Sequence, residues 1–401
     1  MKKSSNLRFI LKKLDVIRMK WLVVLIVFCS ISSCALAQTY SIGHTSVVFF
    51  DNLRNRNIAT EIYYPADSPG EDVSVSTGNF PVLVFAHGFL IDWNSYENYW
   101  AEVVPNGYVI CFPTTEMGIS PNHQDFGDDL RFLATQMQFE AQDINSLFWN
   151  SLAQETGLLG HSMGGGATFL GAENNSDIDA LVNFAAAETN PSAISSASNI
   201  SIPALIFSGD DDCVAPPIDH QDLMYEALNS ACKTQINIVN GGHCYFAEDN
   251  PTCNFGESFC GGTLNITRAE QQAVTSDFLR LWLDYALKDD QEAFVVFNDS
   301  LQSSNRISFS QICNLTSIEN ESFEMDPMFY PNPVASILEV TLTMEASGGT
   351  LFIYNLMGES VYWQPHVNTN CQINVTNLPP GPYSLFYTKG VHTYSSILIK
   401  N

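Results

Sequence analysis

The sequence predicts a doubly wound, mostly parallel α/β sheet followed by a small all-β sandwich. Three observations predict it. Between residues 80 and 239 the strand-like runs are apolar throughout rather than alternating, as strands covered on both faces require. Helical patterns separate those runs, which argues for crossover connections and parallel pairing. Beyond residue 328 the texture changes to short alternating runs divided by Gly and Pro, the pattern of a sandwich.

In chain order, Ser46–Asp51 and Ala59–Ala66 read as two early strands, and Phe80–Ala86 as a buried one that ends at His87-Gly88-Phe89. A helix over Asp92–Val104 and a strand over Gly107–Phe112 follow, the latter stopped by Pro113. The long helix Asp125–Gln142 carries Phe126, Leu130, Leu133 and Met137 on one stripe. Strands are then expected at Gly157–Leu159, Ala180–Ala187, Ile202–Gly209 and Thr234–Val239, with a helix over Ile218–Asn229. A final helix, Arg268–Leu287, closes this unit. Residues 296–328 are rich in Ser, Asn, Asp and Glu, which suits a last strand and a linker. The tail offers strands at Ile337–Met344, Thr350–Asn355, Ser360–Trp363, Ile373–Val375 and Tyr383–Thr388, and no internal repeat is visible. The resulting division is a signal segment over 1–37, an α/β domain over 38–315, a linker over 316–327 and a terminal domain over 328–401.

Composition narrows the class of partner. Of 401 residues 45% are apolar and 15% charged, with 43 acids against 17 bases and a formal charge of −26. Seven of the bases fall in the first 20 residues, so the chain beyond residue 37 holds 10 Lys+Arg against 42 Asp+Glu. Such a surface repels nucleic acid and anionic membranes, so neither is an expected partner, and a monomer is expected. At the N-terminus Lys12, Lys13, Arg18 and Lys20 precede the apolar run Trp21–Cys29, and Ala35-Leu36-Ala37 offers a cleavage site before Gln38. This is the pattern of a secretory signal peptide, with Met19 as an alternative start and Ile31-Ser32-Ser33-Cys34 as an alternative lipidation site. Export makes disulfides plausible among Cys111, Cys213, Cys232, Cys244, Cys253, Cys260, Cys313 and Cys371. Cys244, Cys253 and Cys260 lack zinc spacing, and Cys111 lies in an apolar strand as a buried thiol would.

The chemistry is carried by Gly160-His161-Ser162-Met163-Gly164-Gly165-Gly166. A serine between two glycines, after an apolar strand and before a helix, is the arrangement of a nucleophile elbow. A serine hydroxyl needs a histidine to take its proton and an acid to orient that histidine. The strand Ile202–Phe207 runs into Ser208-Gly209-Asp210-Asp211-Asp212-Cys213, and Ile236–Val239 runs into Asn240-Gly241-Gly242-His243. His243 is the candidate base, and Asp210, Asp211 and Asp212 are the candidate acids. The oxyanion donors are expected to be the N–H of Met163 and, from the loop after Phe80–Ala86, the N–H of Phe89. His87 and His161 read as hydrogen-bonded structural residues.

Residues 80–287 resemble the α/β-hydrolase fold, in its chlorophyllase, dienelactone hydrolase and bacterial cutinase branch. The segments that carry the resemblance are Pro81–Phe89, Asn106-Gly107-Tyr108-Val109-Ile110, the elbow, and Asp212-Cys213-Val214-Ala215-Pro216. The resemblance implies hydrolysis of carboxylic esters with Ser162, His243 and Asp212 as the triad, and no metal or organic cofactor. A small or polymeric ester is the implied substrate; a peptidase or thioesterase on the same fold and a non-catalytic surface adhesin are the alternatives. Where cutinase-type polyester hydrolases carry tryptophan after the sixth strand, this chain has Ala187-Glu188-Thr189-Asn190. Glu188 and Trp93 are therefore the expected substrate contacts, with helix packing an equal reading of Trp93, Tyr96 and Trp100. Disulfides within Cys244–Cys260, together with a Cys213–Cys232 pair beside Asp212, are expected to staple the two triad loops.

The tail resembles the C-terminal sorting domain of type IX secretion. It carries Tyr330-Pro331-Asn332-Pro333, Ile353–Gly358, Leu378-Pro379-Pro380-Gly381-Pro382-Tyr383 and Leu398-Ile399-Lys400. The resemblance implies the type IX secretion machinery as a partner and a secreted or cell-surface location.

Overall fold

The computed structural model describes residues 39–313 apart from 262, and 328–401 apart from 343–346, 356–359, 365–366 and 390–391. The signal segment, the linker and the Leu356–Gly358 end of the tail's strand–turn lie outside the described residues. Two compact units divide at Cys313/Asn314.

The first unit is built on a ten-stranded sheet. Its strands are β1 (Ser41–Asp51), β2 (Arg56–Ala66), β3 (Gly70–Glu71), β4 (Phe80–Ala86), β5 (Val109–Pro113), β6 (Leu152–His161), β7 (Ala180–Phe184), β8 (Ala204–Gly209), β9 (Cys232–Ile238) and β10 (Ile307–Cys313). They lie in the order β10-β9-β8-β7-β6-β4-β5-β2-β1-β3. From β9 through β5 every pairing is parallel; β2, β1 and β10 add antiparallel strands at the flanks. Every residue of β4, β5, β7 and β8 is buried, which is why those segments read as unbroken apolar runs.

The helices are α1 (Glu97–Val103), α2 (His123–Glu140), α3 (Met163–Ala172), α4 (Ala193–Ala197), α5 (Gln221–Ala227), α6 (Pro251–Glu257), α7 (Arg268–Lys288) and α8 (Gln291–Ser303). They cover both faces of the sheet. Leu83, Phe85, Val182 and Phe207 point to one side and pack with Tyr99 and Trp100 of α1 and Phe278 and Trp282 of α7. Val82, Val84, Leu181 and Ile206 point to the other and meet Phe126, Leu130 and Met137 of α2. Burying one such side chain contributes about 1.5–3 kcal/mol, so these two layers dominate the stability of the unit.

Several boundaries differ from the sequence reading for local reasons. The helix expected over Asp92–Val104 is a 3₁₀ turn, Trp93–Tyr96, capped by the Asp92 carboxylate, and then α1. The strand expected to reach Ala187 ends at Phe184, because Ala185 takes a positive φ of 45°. The helix α8 was not expected. Its N-cap is Asp290, and Ala293, Phe294, Phe297 and Leu301 are its buried face; the polar residues that suggested a linker are its exposed face. The expected last strand is present as β10, paired antiparallel with β9.

The second unit contains a three-stranded sheet, β11 (Met328–Tyr330), β12 (Ile337–Thr341) and β15 (Asn370–Asn374), and a four-stranded one. The latter is β14 (Ser360–Gln364), β13 (Thr350–Tyr354), β16 (Gly381–Lys389) and β17 (His392–Lys400). Their described pairings are antiparallel, and Val334, Leu338, Val340, Leu351, Ile353, Leu385 and Leu398 form a shared core. This is the expected sandwich, with β11 and β17 as additional strands.

Candidate active site

The site is assembled from loops that follow parallel strands. Ser162 stands between β6 and α3 with φ 56° and ψ −123°, a conformation that costs a non-glycine residue about 1–3 kcal/mol. The surroundings hold it there. Its N–H donates to the Phe184 carbonyl at 3.0 Å, and its own carbonyl accepts from Gly166 and Ala187 at 3.0 and 2.9 Å. Gly164 permits the tight packing behind it, since a Cβ there would run into the carbonyls of Ala86 and His87.

The loops after β8 and β9 are joined to each other. The Asp210 N–H donates to the Ile238 carbonyl at 3.1 Å and the Asp211 N–H to the Gly241 carbonyl at 3.0 Å. A side chain at Gly209 would collide with Gly241, so glycine keeps the two loops in contact. Asp212 and His243 are both buried, while Asp210 and Asp211 are exposed. The imidazole of His243 lies 2.7 Å by its Nδ1 from Asp212 Oδ2 and 2.9 Å by its Nε2 from Ser162 Oγ. Asp212 Oδ1 accepts from the N–H of Val214 and Ala215 at 2.8 and 2.9 Å. An acceptor-only carboxylate at Nδ1 requires the ring proton there, which leaves Nε2 to accept the serine proton.

Three polar residues that the sequence did not single out, Gln271 and Gln221 buried and Arg268 half-buried, fix these loops. Gln271 of α7 accepts from the Gly242 N–H at 2.9 Å and donates to the Gly242 carbonyl at 2.8 Å. Gln221 donates to the carbonyls of Ala186 and Ala215, tying the loop after β7 to the loop that carries Asp212. Arg268 donates to the Cys244 and Ala247 carbonyls. Gln271 lies on the same helix face as Val274, Thr275 and Phe278, so a glutamine on a core-facing stripe was the available signal.

The other expected residues occupy these positions. Met163 is the first residue of α3, whose N-terminal N–H groups lack intrahelical acceptors. Phe89 follows β4 and is 42% exposed. Glu188 is half-buried; its Oε2 accepts from the Ile194 N–H at 3.0 Å in the first turn of α4, and its own N–H donates to His220 Nδ1 at 2.9 Å. Trp93 sits in an aromatic group with His44, Tyr63 and Trp100, its ring centroid 5.7–6.0 Å from theirs. His161 has both ring nitrogens hydrogen-bonded, and His87 places its two nitrogens near the Gly88 and Thr115 carbonyls, of which a neutral ring can donate to one.

The disulfides are Cys213–Cys260, Cys244–Cys253 and Cys232–Cys313, so the expected Cys213–Cys232 pair is corrected. Cys232 and Cys313 face each other across β9 and β10, and that register takes Cys232 away from Cys213. Cys213, next to Asp212, is instead bound to the loop that follows His243, and Cys244–Cys253 closes that loop on itself. The two loops are thus stapled, by other partners than expected. Cys111 is free and buried, and Cys371 is free.

Residues 39–260 match the PET hydrolase-like family model. The chain belongs to this family. Residues 328–401 match the secretion-system C-terminal sorting domain, which marks the chain for secretion or the cell surface. Among curated relatives, Cutinase est1 of Thermobifida alba is 29% identical over 185 residues, 45% of this chain and 56% of the relative. The bis(hydroxyethyl) terephthalate hydrolase of Streptomyces coelicolor is 26% identical over 211 residues, 52% of this chain and 62% of the relative. The chain therefore spans less than two thirds of the length of either relative.

Proposed function

We propose that the protein is an exported serine hydrolase of carboxylic esters, with Ser162 as nucleophile, His243 as general base and Asp212 as the orienting acid. The observation that carries this reading is the unbroken chain from Ser162 Oγ through His243 to Asp212 Oδ2 on a strained strand–helix turn. Ser162 Oγ attacks the acyl carbon as its proton passes to His243 Nε2. The carbonyl oxygen becomes an oxyanion, and the N–H groups of Phe89 and Met163 are the donors assigned to it. Collapse breaks the bond to the alcohol, which leaves with the proton from His243. Water then attacks the acyl-enzyme by the same steps, releasing the acid and restoring Ser162. No cofactor enters this sequence.

The relatives' names, a cutinase and a bis(hydroxyethyl) terephthalate hydrolase, support esters as the substrate class. The polar segment Glu188-Thr189-Asn190 favours small neutral esters over a flat aromatic polymer. Export through the type IX system accords with the sorting domain. The test uses short p-nitrophenyl esters, triglycerides and a polyester film with the wild type and Ser162→Ala. Turnover of the short esters that vanishes in Ser162→Ala is the expected result. Absence of a burst and of turnover on every ester would instead favour a non-catalytic surface protein.

A further inference from the structure

Between the loop assigned to the oxyanion and the backbone of the base lie two buried side chains that the triad chemistry leaves unused. The Gly88 N–H donates to Tyr96 Oη at 2.7 Å, Tyr96 Oη lies 3.1 Å from His161 Nδ1, and His161 Nε2 lies 3.1 Å from the His243 carbonyl. The ends of this path determine its direction. The Gly88 N–H can only donate and the His243 carbonyl can only accept. Tyr96 must therefore accept from Gly88 and donate to His161 Nδ1, and His161 must carry its proton on Nε2. A neutral imidazole satisfies every bond in the path; a doubly protonated one would make Tyr96 Oη accept from Nδ1 as well as from Gly88, stranding its own buried proton without an acceptor. Burial, with His243 beside it, holds His161 well below the usual histidine value of 6.5, consistent with a neutral ring.

The next peptide along the chain, Gly88–Phe89, is held as well. Its carbonyl accepts from the Ile91 N–H at 3.1 Å and lies 2.9 Å from His87 Nδ1. In a planar trans peptide the N–H points opposite the carbonyl, so fixing the Gly88 carbonyl fixes the direction of the Phe89 N–H. Tyr96 sets the preceding peptide and so sets where this one begins.

We propose that Tyr96 and His161 are positioning residues, a buried relay that holds the Phe89 N–H and the His243 backbone in one register. The proposal rests on the reading of Phe89 as an oxyanion donor. Neither side chain touches the reacting atoms. Their effect is on transition-state stabilisation, because a donor turned away from the oxyanion loses most of its strength while substrate still binds.

The decisive variant is Tyr96→Phe, which keeps the ring and removes the hydroxyl. Tyr99→Phe is the control: it makes the same change three positions on, at a buried hydroxyl without a hydrogen-bond partner among the described residues. For Tyr96→Phe, kcat on p-nitrophenyl butyrate should fall about tenfold or more, with KM within about twofold. Affinity for an alkylboronic acid, which mimics the tetrahedral adduct, should fall by a similar factor. Tyr99→Phe should match the wild type in both. In the double variant Tyr96→Phe/His161→Gln the losses should fall short of additive, since both substitutions break one path. A Tyr96→Phe enzyme that melts earlier yet keeps wild-type kcat and boronate affinity would overturn the proposal. Imidazole ¹⁵N NMR gives a readout that needs no turnover: His161 should be the Nε2–H tautomer, with an Nδ1 signal that shifts in Tyr96→Phe. An Nδ1–H tautomer would equally overturn the relay. A wild type lacking Ser162-dependent turnover would overturn the esterase reading instead, with the NMR result still deciding the relay.

Discussion

Asp212 holds His243 with one carboxylate oxygen, at 2.7 Å, while the other is occupied by two backbone N–H groups. The carboxylate is thus fixed before the imidazole meets it, and the imidazole can present only Nε2 to Ser162. Asp212→Asn would offer an amide N–H to Nδ1 and favour the opposite tautomer. Its kcat on a short ester should fall about ten-thousand-fold, as the triad template leads one to expect. Asp210→Asn, at an exposed side chain, should stay within about threefold of wild type. The reverse ranking would reassign the acid to Asp210.

Burial holds the imidazoles of His87 and His161 below the ordinary value of 6.5. In the unfolded chain both rings gain protons as pH falls through about 6.5, while in the folded chain they gain them only at lower pH. Unfolding then takes up protons, so their stabilisation is complete above that pH and declines below it. Each ring contributes a slope of up to about 1.4 kcal/mol per pH unit. Urea denaturation between pH 7.5 and 5 should show this fall before the carboxylates titrate. A flat profile would mean that the rings protonate within the fold.

The strand–turn–helix around Ser162, the parallel strands and the placement of His243 just after β9 were legible in the sequence because each rests on local pattern. Continuous apolar runs mark strands buried on both faces, and the turn at Ser162 excludes side chains on its glycines. Choosing among Asp210, Asp211 and Asp212 needed the family's spacing, since their burial depends on contacts with the next loop. Gln271, Gln221 and the Tyr96–His161 pair act through hydrogen bonds between residues far apart in the chain. No periodicity announces such bonds. The Cys213–Cys232 expectation failed for the same reason: Cys213 joins Cys260 because β9 and β10 have already brought Cys232 opposite Cys313.

Cys213–Cys260 and Cys232–Cys313 should separate stability from activity. The first binds the acid loop to the loop after His243; the second clips β9 to β10 at the end of β9 farther in sequence from His243. Replacing either pair by serine should cost about 2–4 kcal/mol of stability. Only the Cys213→Ser/Cys260→Ser variant should also lose kcat, by about fivefold or more, since a small misplacement of a catalytic group is costly. Equal kcat in both variants, measured well below their melting temperatures, would show that the hydrogen bonds of Gln271 and Gln221 hold the loops unaided.

Charge should select among esters that share an acyl group. The chain beyond residue 37 has 42 acids against 10 bases, and Glu188 adds a carboxylate in the loop after β7. An ester carrying its own carboxylate therefore approaches against a repulsive field, whereas a neutral ester does not. Raising ionic strength from 0.01 to 0.15 M shortens the screening length from about 30 to about 8 Å. The kcat/KM for the anionic ester should rise severalfold over that range, while that for its neutral methyl ester stays within about twofold. Glu188→Gln separates the local charge from the global one, because the amide oxygen can still accept from the Ile194 N–H. If the repulsion is local, this variant should gain on the anionic ester at low salt and lose most of the salt dependence. If it keeps the wild-type dependence, the field belongs to the whole acidic surface, and Glu188 serves α4 alone.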